Sequence, residues 1–319
     1  SILVIVDQKK NKIFENRLNQ SAIIIMAVPF SGKELFALKN KTKAIIPVDH
    51  TGQPADMDEI NEIASHHGIT VISDAAHSLG ASYKGRPVGS LADMSVFSFH
   101  PVKHIAMGEG GVIVTNDESV VSTLRLFRTH GITNNDTAMV LPKQSFDQEN
   151  DLLPELKSST RAPWYYEMQE LGFNYRITDI QCALGLSQLG KLDRFLHRRR
   201  EIVAYYNQVF SESEMLIIPF QEDNRQSAWH LYILRLRSEK VIKSRRQIFE
   251  ELRSLNIGVH VHYIPLHLQP YYREKFGCKR GDFPESESYY DSALTIPMFP
   301  GMSDADCERV VKAVLSCVK

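Results

Sequence analysis

The sequence predicts an α/β protein, a mostly parallel sheet covered by helices and followed by a smaller α+β part. Three observations carry that expectation. Short apolar runs alternate with helix-period segments through the first half, and residues 56–67 (DMDEINEIASHH) set Met57, Ile60, Ile63 and Ala64 at helical spacing between two such runs. From about Leu216 the pattern changes to mixed strands and helices. With 319 residues, 43% apolar and 24% charged, the chain has ordinary globular composition and length for about two domains, which excludes collagenous, coiled-coil and disordered classes.

The elements follow in order. Residues 22–28 and 43–48 read as buried strands, 56–67 as an amphipathic helix closed by Gly68, and 69–73 as the next strand. Strand, helix and strand at this spacing make a βαβ unit, so the sheet is expected to be parallel. Residues 96–99 and 111–115 extend the strand count, and 120–126 reads as helix. Residues 133–163, rich in Asn, Asp, Gln, Ser and Pro, are expected to form a long surface loop. Residues 178–209 read as one long helix with Thr178 at its N-cap. An alternating strand at 229–236, a helix at 245–255, a strand at 258–264 and a closing helix from Asp304 complete the pattern.

Lys and Arg number 37 against 38 Asp and Glu, for a net charge of −1, so no basic excess draws the chain to nucleic acid or to an anionic membrane. The longest apolar runs, 2–6 and 22–30, fall far short of the ~20 residues that span a bilayer. The first lacks a basic leader and runs into Asp7, Lys9 and Lys10, so it is not expected to be a signal peptide. Cys182, Cys278, Cys307 and Cys317 lie far apart with no C-x-x-C pair, against a zinc site or disulfide framework and in favour of a reducing, cytoplasmic setting.

Four segments stand out for chemistry: Ser73–Ser78 (SDAAHS), 98–103 (SFHPVK) with the following 108–111 (GEGG), 172–176 (GFNYR) and 260–267 (HVHYIPLH). Singly, each has a plain alternative. An Asp after a strand is commonly a cap or loop residue, a lone Lys a solvated charge, and a Gly-rich tetrapeptide a turn. Together, Asp74 and Lys103 each fall at or beyond a strand end of one parallel sheet, where ligands of such sheets bind. Pyridoxal 5′-phosphate needs that pair: an amine for its aldehyde and a carboxylate that keeps its pyridine nitrogen protonated.

From about Lys41 to Lys319 the chain resembles the DegT/DnrJ/EryC1/StrS family of nucleotide-sugar aminotransferases. The resemblance rests on KTKAIIPVDHTGQPADMDEI, ISDAAHSLGASYKGRPVGS, VFSFHPVKHIAMGEGGVIVTND, GFNYRITDIQCALGLSQLGKLD, HLY and GVHVHYIPLH. It implies a fold-type-I, aspartate-aminotransferase-like architecture, with a cofactor-binding large domain over 1–195 and a small C-terminal domain over 196–319. SFHPVK, in place of the commoner asparagine–lysine form, is similar to the branch acting in pseudaminic acid synthesis. The implied reaction moves an amino group from an amino acid, glutamate by expectation, to C4 of a UDP-linked 4-keto-6-deoxy-N-acetylhexosamine.

The resemblance also implies roles by position. Lys103 would be the Schiff-base lysine and proton shuttle, Asp74 the partner of the pyridine nitrogen, His77 a neighbour of the ring's 3′-oxygen, and Ser98 a phosphate ligand. Asn174 would reach the phosphate of a neighbouring subunit, making a homodimer with a shared active site. Tyr175, Arg176, His262, Tyr263 and His267 would border the sugar-nucleotide pocket. Family members carry several dozen more residues before the KTKAIIPV strand, so the N-terminal part of the pattern is shortened here, either in nature or because the sequence omits residues. Ser31, in the Phe30-Ser31-Gly32 turn, is a helix cap on the plain reading and a cofactor-phosphate residue on the family one. Phe30 is the candidate for a ring-stacking aromatic.

Alternatives remain at this point. A paralogue with a weakened cofactor site acting as a binding protein is one. Sugar dehydration is disfavoured because the relatives that perform it carry histidine where Lys103 stands. A metal hydrolase on His260, His262 and His267 lacks matching carboxylate spacing, so no metal is expected.

Overall fold

A computed structural model describes residues 42–140 and 164–319, together with the backbone of two strands nearer the N-terminus, Ile2–Ile5 (β1) and Ile23–Ala27 (β2). Phe30 and Ser31 lie outside the described residues, as do residues 141–163 of the expected loop. β3 (Thr42–Pro47) leads through a 3₁₀ turn at His50–Gly52 into α1 (Met57–His67) and β4 (Thr70–Asp74). Met57, Ile60 and Ala64 form the buried stripe of α1, and Gly68 ends it in the left-handed conformation, where a Cβ would be strained. A small hairpin, β5 (Ser82–Tyr83) with β6 (Arg86–Pro87), precedes β7 (Met94–Ser98) and β8 (Gly111–Val114).

These strands form a six-stranded sheet in the order β1-β2-β3-β4-β7-β8. The β2–β3, β3–β4 and β4–β7 pairings are parallel, and the outer β1–β2 and β7–β8 pairings are antiparallel. The register sets Asp74 beside Val96, and Val48 bridges Asp74 from the other side, so the carboxyl ends of β3, β4 and β7 lie next to one another.

Thr115–Asp179 forms a compact unit of its own; the rest of the described chain belongs to a second unit that runs through Val114 and resumes at Ile180. Within the former, α2 (Glu118–Arg128) is capped by Asp117, whose carboxylate accepts the Ser119 and Val120 N–H groups, and β9 (Ile132–Thr133) pairs with β10 (Glu167–Met168). Gly131 and Gly172 meet there so closely that a Cβ on Gly172 would stand 2.2 Å from the Gly131 nitrogen.

The single helix expected over 178–209 is two helices, α3 (Asp179–Leu189) and α4 (Leu192–Phe210), broken at Gly190 and Lys191. Glycine's low helix propensity supplies the weak point. β11 (Leu216–Ile217) and β12 (Arg225–Gln226) precede β13 (Tyr232–Leu236), which is shorter than the expected 229–236 because Trp229 has a φ of 51° and stands outside it. α5 (Arg245–Ser254) opens on a Ser244–Gln247 capping box. Residues 258–264 do not form the expected strand; they pair only through one bridge, His260 to Thr295. α6 (Pro270–Phe276), α7 (Pro284–Ser292), β14 (Ala293–Ile296) and α8 (Asp304–Cys317) complete the chain. The largest apolar core is C-terminal, built from α4, β13, α5, β14 and α8 around Tyr206, Phe210, Tyr232 and Leu234. A smaller one packs α1 against β3 and β4 through Ile45, Met57, Ile60 and Val71.

Candidate active site

The site is built at the carboxyl ends of the parallel strands. β4 ends at Asp74, whose Oδ1 accepts the Ala76 N–H at 3.1 Å, and the chain turns at once as Ser78 N–H donates to the Ala75 carbonyl. Two small residues, Ala75 and Ala76, permit that turn, and His77 follows on it. On the neighbouring strand end, Asp49 is buried, accepting the Ser78 hydroxyl at 2.6 Å and the Ala55 N–H at 3.0 Å. Burial pushes its carboxyl up to about 6, the Asp74 charge adds to that, and the two hydrogen bonds oppose it.

Lys103 lies on the connection between β7 and β8. The ends of that connection are pinned, Phe99 N–H to the Gly110 carbonyl and Met107 N–H to the Phe99 carbonyl, and Lys103 N–H donates to the His100 carbonyl. Its half-buried ammonium is held below the ordinary lysine range by burial, while the Asp74 carboxylate pulls it back up. The two residues singled out in the sequence therefore share one electrostatic neighbourhood.

Histidines line it. Burial drives the His77 imidazole down to about 2, with the Lys103 charge adding, and brings His50 to about 4 and His104 to about 3. His262 falls to about 4, from burial first, then from the charges of His260, His50 and Lys103. His262 Nδ1 lies 2.8 Å from Thr295 Oγ1, and its ring stacks on His260 at 4.5 Å. Tyr263, half exposed, has a hydroxyl raised by burial.

The other expected site residues are placed as follows. Ser98 ends β7, its Oγ accepting the His100 N–H at 3.3 Å. His267 is buried with its Nε2 2.8 Å from Glu287 Oε1, so its outer nitrogen is already engaged. In the 115–179 unit, Asn174 bridges Thr129 through its backbone, Arg176 is exposed, and Tyr175 is exposed and stacked on Phe173 at 4.8 Å with ring planes 8° apart. Asp49, His50, His104 and His230 carry no role in the motif reading, although His230 is the first residue of HLY and His104 follows Lys103 directly. Among the described residues, no group of three His, Cys, Asp or Glu side chains is arranged to hold a metal ion.

The residues present fit pyridoxal phosphate. Lys103 offers an amine with weakened proton affinity, Asp74 a carboxylate at the adjacent strand end, and the buried Nδ1 of His77 has no hydrogen-bond partner among the described residues. A buried orphan nitrogen beside such a pair is what a polar ligand would satisfy.

Known proteins share this sequence and fold. The chain is 40% identical over 282 residues to an uncharacterised protein of Methanocaldococcus jannaschii, covering 88% of this chain and 68% of the relative. It is 35% identical over 284 residues to the UDP-4-amino-4,6-dideoxy-N-acetyl-β-L-altrosamine transaminase of Campylobacter jejuni, covering 88% and 68%. The solved structure of Helicobacter pylori PseC, an aminotransferase in pseudaminic acid biosynthesis, superposes with a TM-score of 0.76 at 26% identity, covering 89% of this chain and 69% of that one. The PLP form of the sugar aminotransferase Spr1654 from Streptococcus pneumoniae gives 0.74 at 27% identity, covering 88% and 70%. The α/β fold expected from the sequence is thus the fold of these aminotransferases. The DegT/DnrJ/EryC1/StrS aminotransferase family model matches residues 36–315, and the chain belongs to that family.

Proposed function

We propose that the protein is a pyridoxal-phosphate-dependent nucleotide-sugar aminotransferase. In this proposal it moves an amino group from an amino acid, glutamate, to C4 of a UDP-linked 4-keto-6-deoxy-N-acetylhexosamine. The observation that carries the reaction class is the Lys103–Asp74 pair at the strand ends, with Lys103 partly desolvated. The likeness to the Campylobacter transaminase and to PseC supports the substrate.

When bound, pyridoxal phosphate supplies the carbonyl that accepts the amino group and the electron sink that stabilises the deprotonated substrate carbon. Asp74 keeps the pyridine nitrogen protonated. The Lys103 Nζ, with its proton affinity lowered by burial, takes the proton from the donor's α-carbon and delivers one to C4 of the sugar. His77, uncharged at neutral pH, offers a hydrogen bond without adding positive charge next to Lys103. Ser98 and Ser31 bind phosphate, and Tyr175, Arg176, His262, Tyr263 and His267 border the sugar nucleotide.

The proposal includes a homodimer in which Asn174 reaches the neighbouring subunit's cofactor. Its support is the exposure of large apolar side chains around α3, Ile180 at 83% with Leu184, Leu186 and Leu189 also exposed, apolar surface that a second copy would cover. It also takes 1–195 as the cofactor-binding part and 196–319 as a smaller domain, supported by the separate C-terminal core. Among the described residues no helix is long and apolar enough to cross a membrane. Four free cysteines support a cytoplasmic setting.

The test is incubation with pyridoxal phosphate, glutamate and the UDP-4-keto sugar, with mass spectrometry of the sugar. An aminated sugar and stoichiometric 2-oxoglutarate are expected. Cofactor binding without amination of any keto sugar would contradict the substrate; no cofactor binding would leave a non-catalytic binding protein.

A further inference from the structure

The imidazoles beside Lys103 form a column. His77 lies against His230, with ring centroids 4.2 Å apart and planes at 38°, and His230 against His104 at 5.4 Å and 50°. The Nε2 of His104 is 2.9 Å from the Ala228 carbonyl, which can only accept, so that nitrogen carries the hydrogen. Burial keeps His104 neutral, leaving its Nδ1 a bare acceptor. Burial lowers His77 and His230 too, and the Nδ1 atoms of all three rings are buried without hydrogen-bond partners among the described residues.

The middle residue is held through its backbone. His230 N–H donates to the Thr51 carbonyl at 2.7 Å, and its carbonyl accepts from Arg199 Nη1 at 3.2 Å. The same guanidinium holds the carbonyls of Trp229 at 3.0 Å and Met298 at 3.1 Å. Gly52, at a φ of 113°, fills the remaining space: a Cβ there would stand 2.7 Å from the Trp229 nitrogen, 3.0 Å from the His230 nitrogen and 3.0 Å from the His77 carbonyl. Turns from two strand ends and the segment before β13 interlock at that point.

We infer that His230 is a positioning residue: carried on a backbone held by Thr51, Gly52 and Arg199, its ring packs against His77 and is the wall that sets the His77 imidazole toward the cofactor. The inference rests on the pyridoxal-phosphate function proposed above. Because His104 closes the other end of the column and follows Lys103 in the chain, loosening His230 disturbs both His77 and the lysine turn. Lys103 shares its neighbourhood with Asp74, His77, His104, His230 and His262, so a displaced column changes the burial that lowers its amine.

The test uses the full chain and three variants, His230→Ala, His230→Gln and His230→Phe. Three quantities are read: the dissociation constant of pyridoxal phosphate, the pH midpoint of the lysine-linked visible band, and the melting temperature without cofactor. The Ala and Gln variants should bind the cofactor about tenfold more weakly and shift the band midpoint, while Phe, which restores a ring, should recover most of the affinity. A folded Ala or Gln variant with wild-type affinity and midpoint, whatever its melting temperature, overturns the inference. If wild-type protein itself gives no lysine-linked band, the proposed function fails instead.

Discussion

The C-terminal core and the strand-end site bury their polar groups in opposite ways. In the core, Tyr206 and Tyr232 are fully buried, and both hydroxyls find acceptors, the Pro297 carbonyl at 2.9 Å and Asn207 Oδ1 at 2.7 Å. At the strand ends, three imidazoles keep unpartnered buried nitrogens, and a buried carboxyl is pushed up to about 6. In the core these hydroxyls are satisfied within the fold and serve stability. The site holds groups that folding alone leaves unsatisfied, as expected where a ligand completes the structure.

The sharpest way to break this contrast is to remove one group from each region. Lys103→Ala should lower amination by about 10²–10⁴-fold, the range for a positioned proton-transfer group, while leaving the melting temperature close to wild type. Leu234→Ala, at a fully buried position of β13, should do the reverse. It should cost about 2–5 kcal/mol of stability in chemical denaturation and leave the cofactor affinity of the folded fraction unchanged. A Lys103 variant that unfolds, or a Leu234 variant that loses cofactor while folded, would erase the distinction.

Acidification should expose the site's contribution to stability. His50, His77 and His104 have folded values of about 4, 2 and 3 against an ordinary 6.5, so the unfolded chain takes up these protons first. Their contribution is complete above pH 6.5 and is lost as pH falls through 6.5 toward the folded values. Asp49 acts in the opposite sense: its carboxyl, raised from 3.8 to about 6, favours the folded state more at low pH than at high. His230 and His262 are lowered as well, so five imidazoles outweigh one carboxyl and melting temperature should fall on acidification from about pH 7.5 to about pH 5. His104→Gln should flatten that fall and Asp49→Asn should steepen it. A flat wild-type profile would show that the imidazoles are not held neutral by burial.

Smaller effects sharpen the comparison. Gly52→Ala should cost roughly 1–3 kcal/mol through backbone strain, and it should also weaken cofactor binding because its Cβ meets both the His230 and His77 segments. Ser244→Ala removes a capping box from α5, far from any assigned chemistry, and should cost only about 1 kcal/mol with no change in cofactor affinity.

The sequence made the frame legible where local and global preferences agree. The stripe of α1, its Gly68 terminus and the flanking apolar runs appear as expected, as do Asp74 at a strand end and Lys103 beyond one. It misled where local pattern was undecided. Residues 178–209 keep helical composition on both sides of Gly190, so the break into α3 and α4 rests on one glycine that local pattern alone does not mark as a terminus, and the alternation at 258–264 finds a partner at only one residue. The histidine column was least legible. His104 and His230 are common residues in unremarkable positions, and what gives them meaning is burial and mutual contact across more than a hundred residues, seen in the His104–Ala228 separation of 124. Asp49 has no signal in the sequence; its burial against Ser78 is what marks it.

The most direct test of the account is borohydride reduction of the protein mixed with pyridoxal phosphate, followed by peptide mapping. One stoichiometric label on Lys103, lost in Lys103→Ala, is expected. A label on another lysine, or none on a folded protein, would contradict the assignment of Lys103 and Asp74 as the cofactor site.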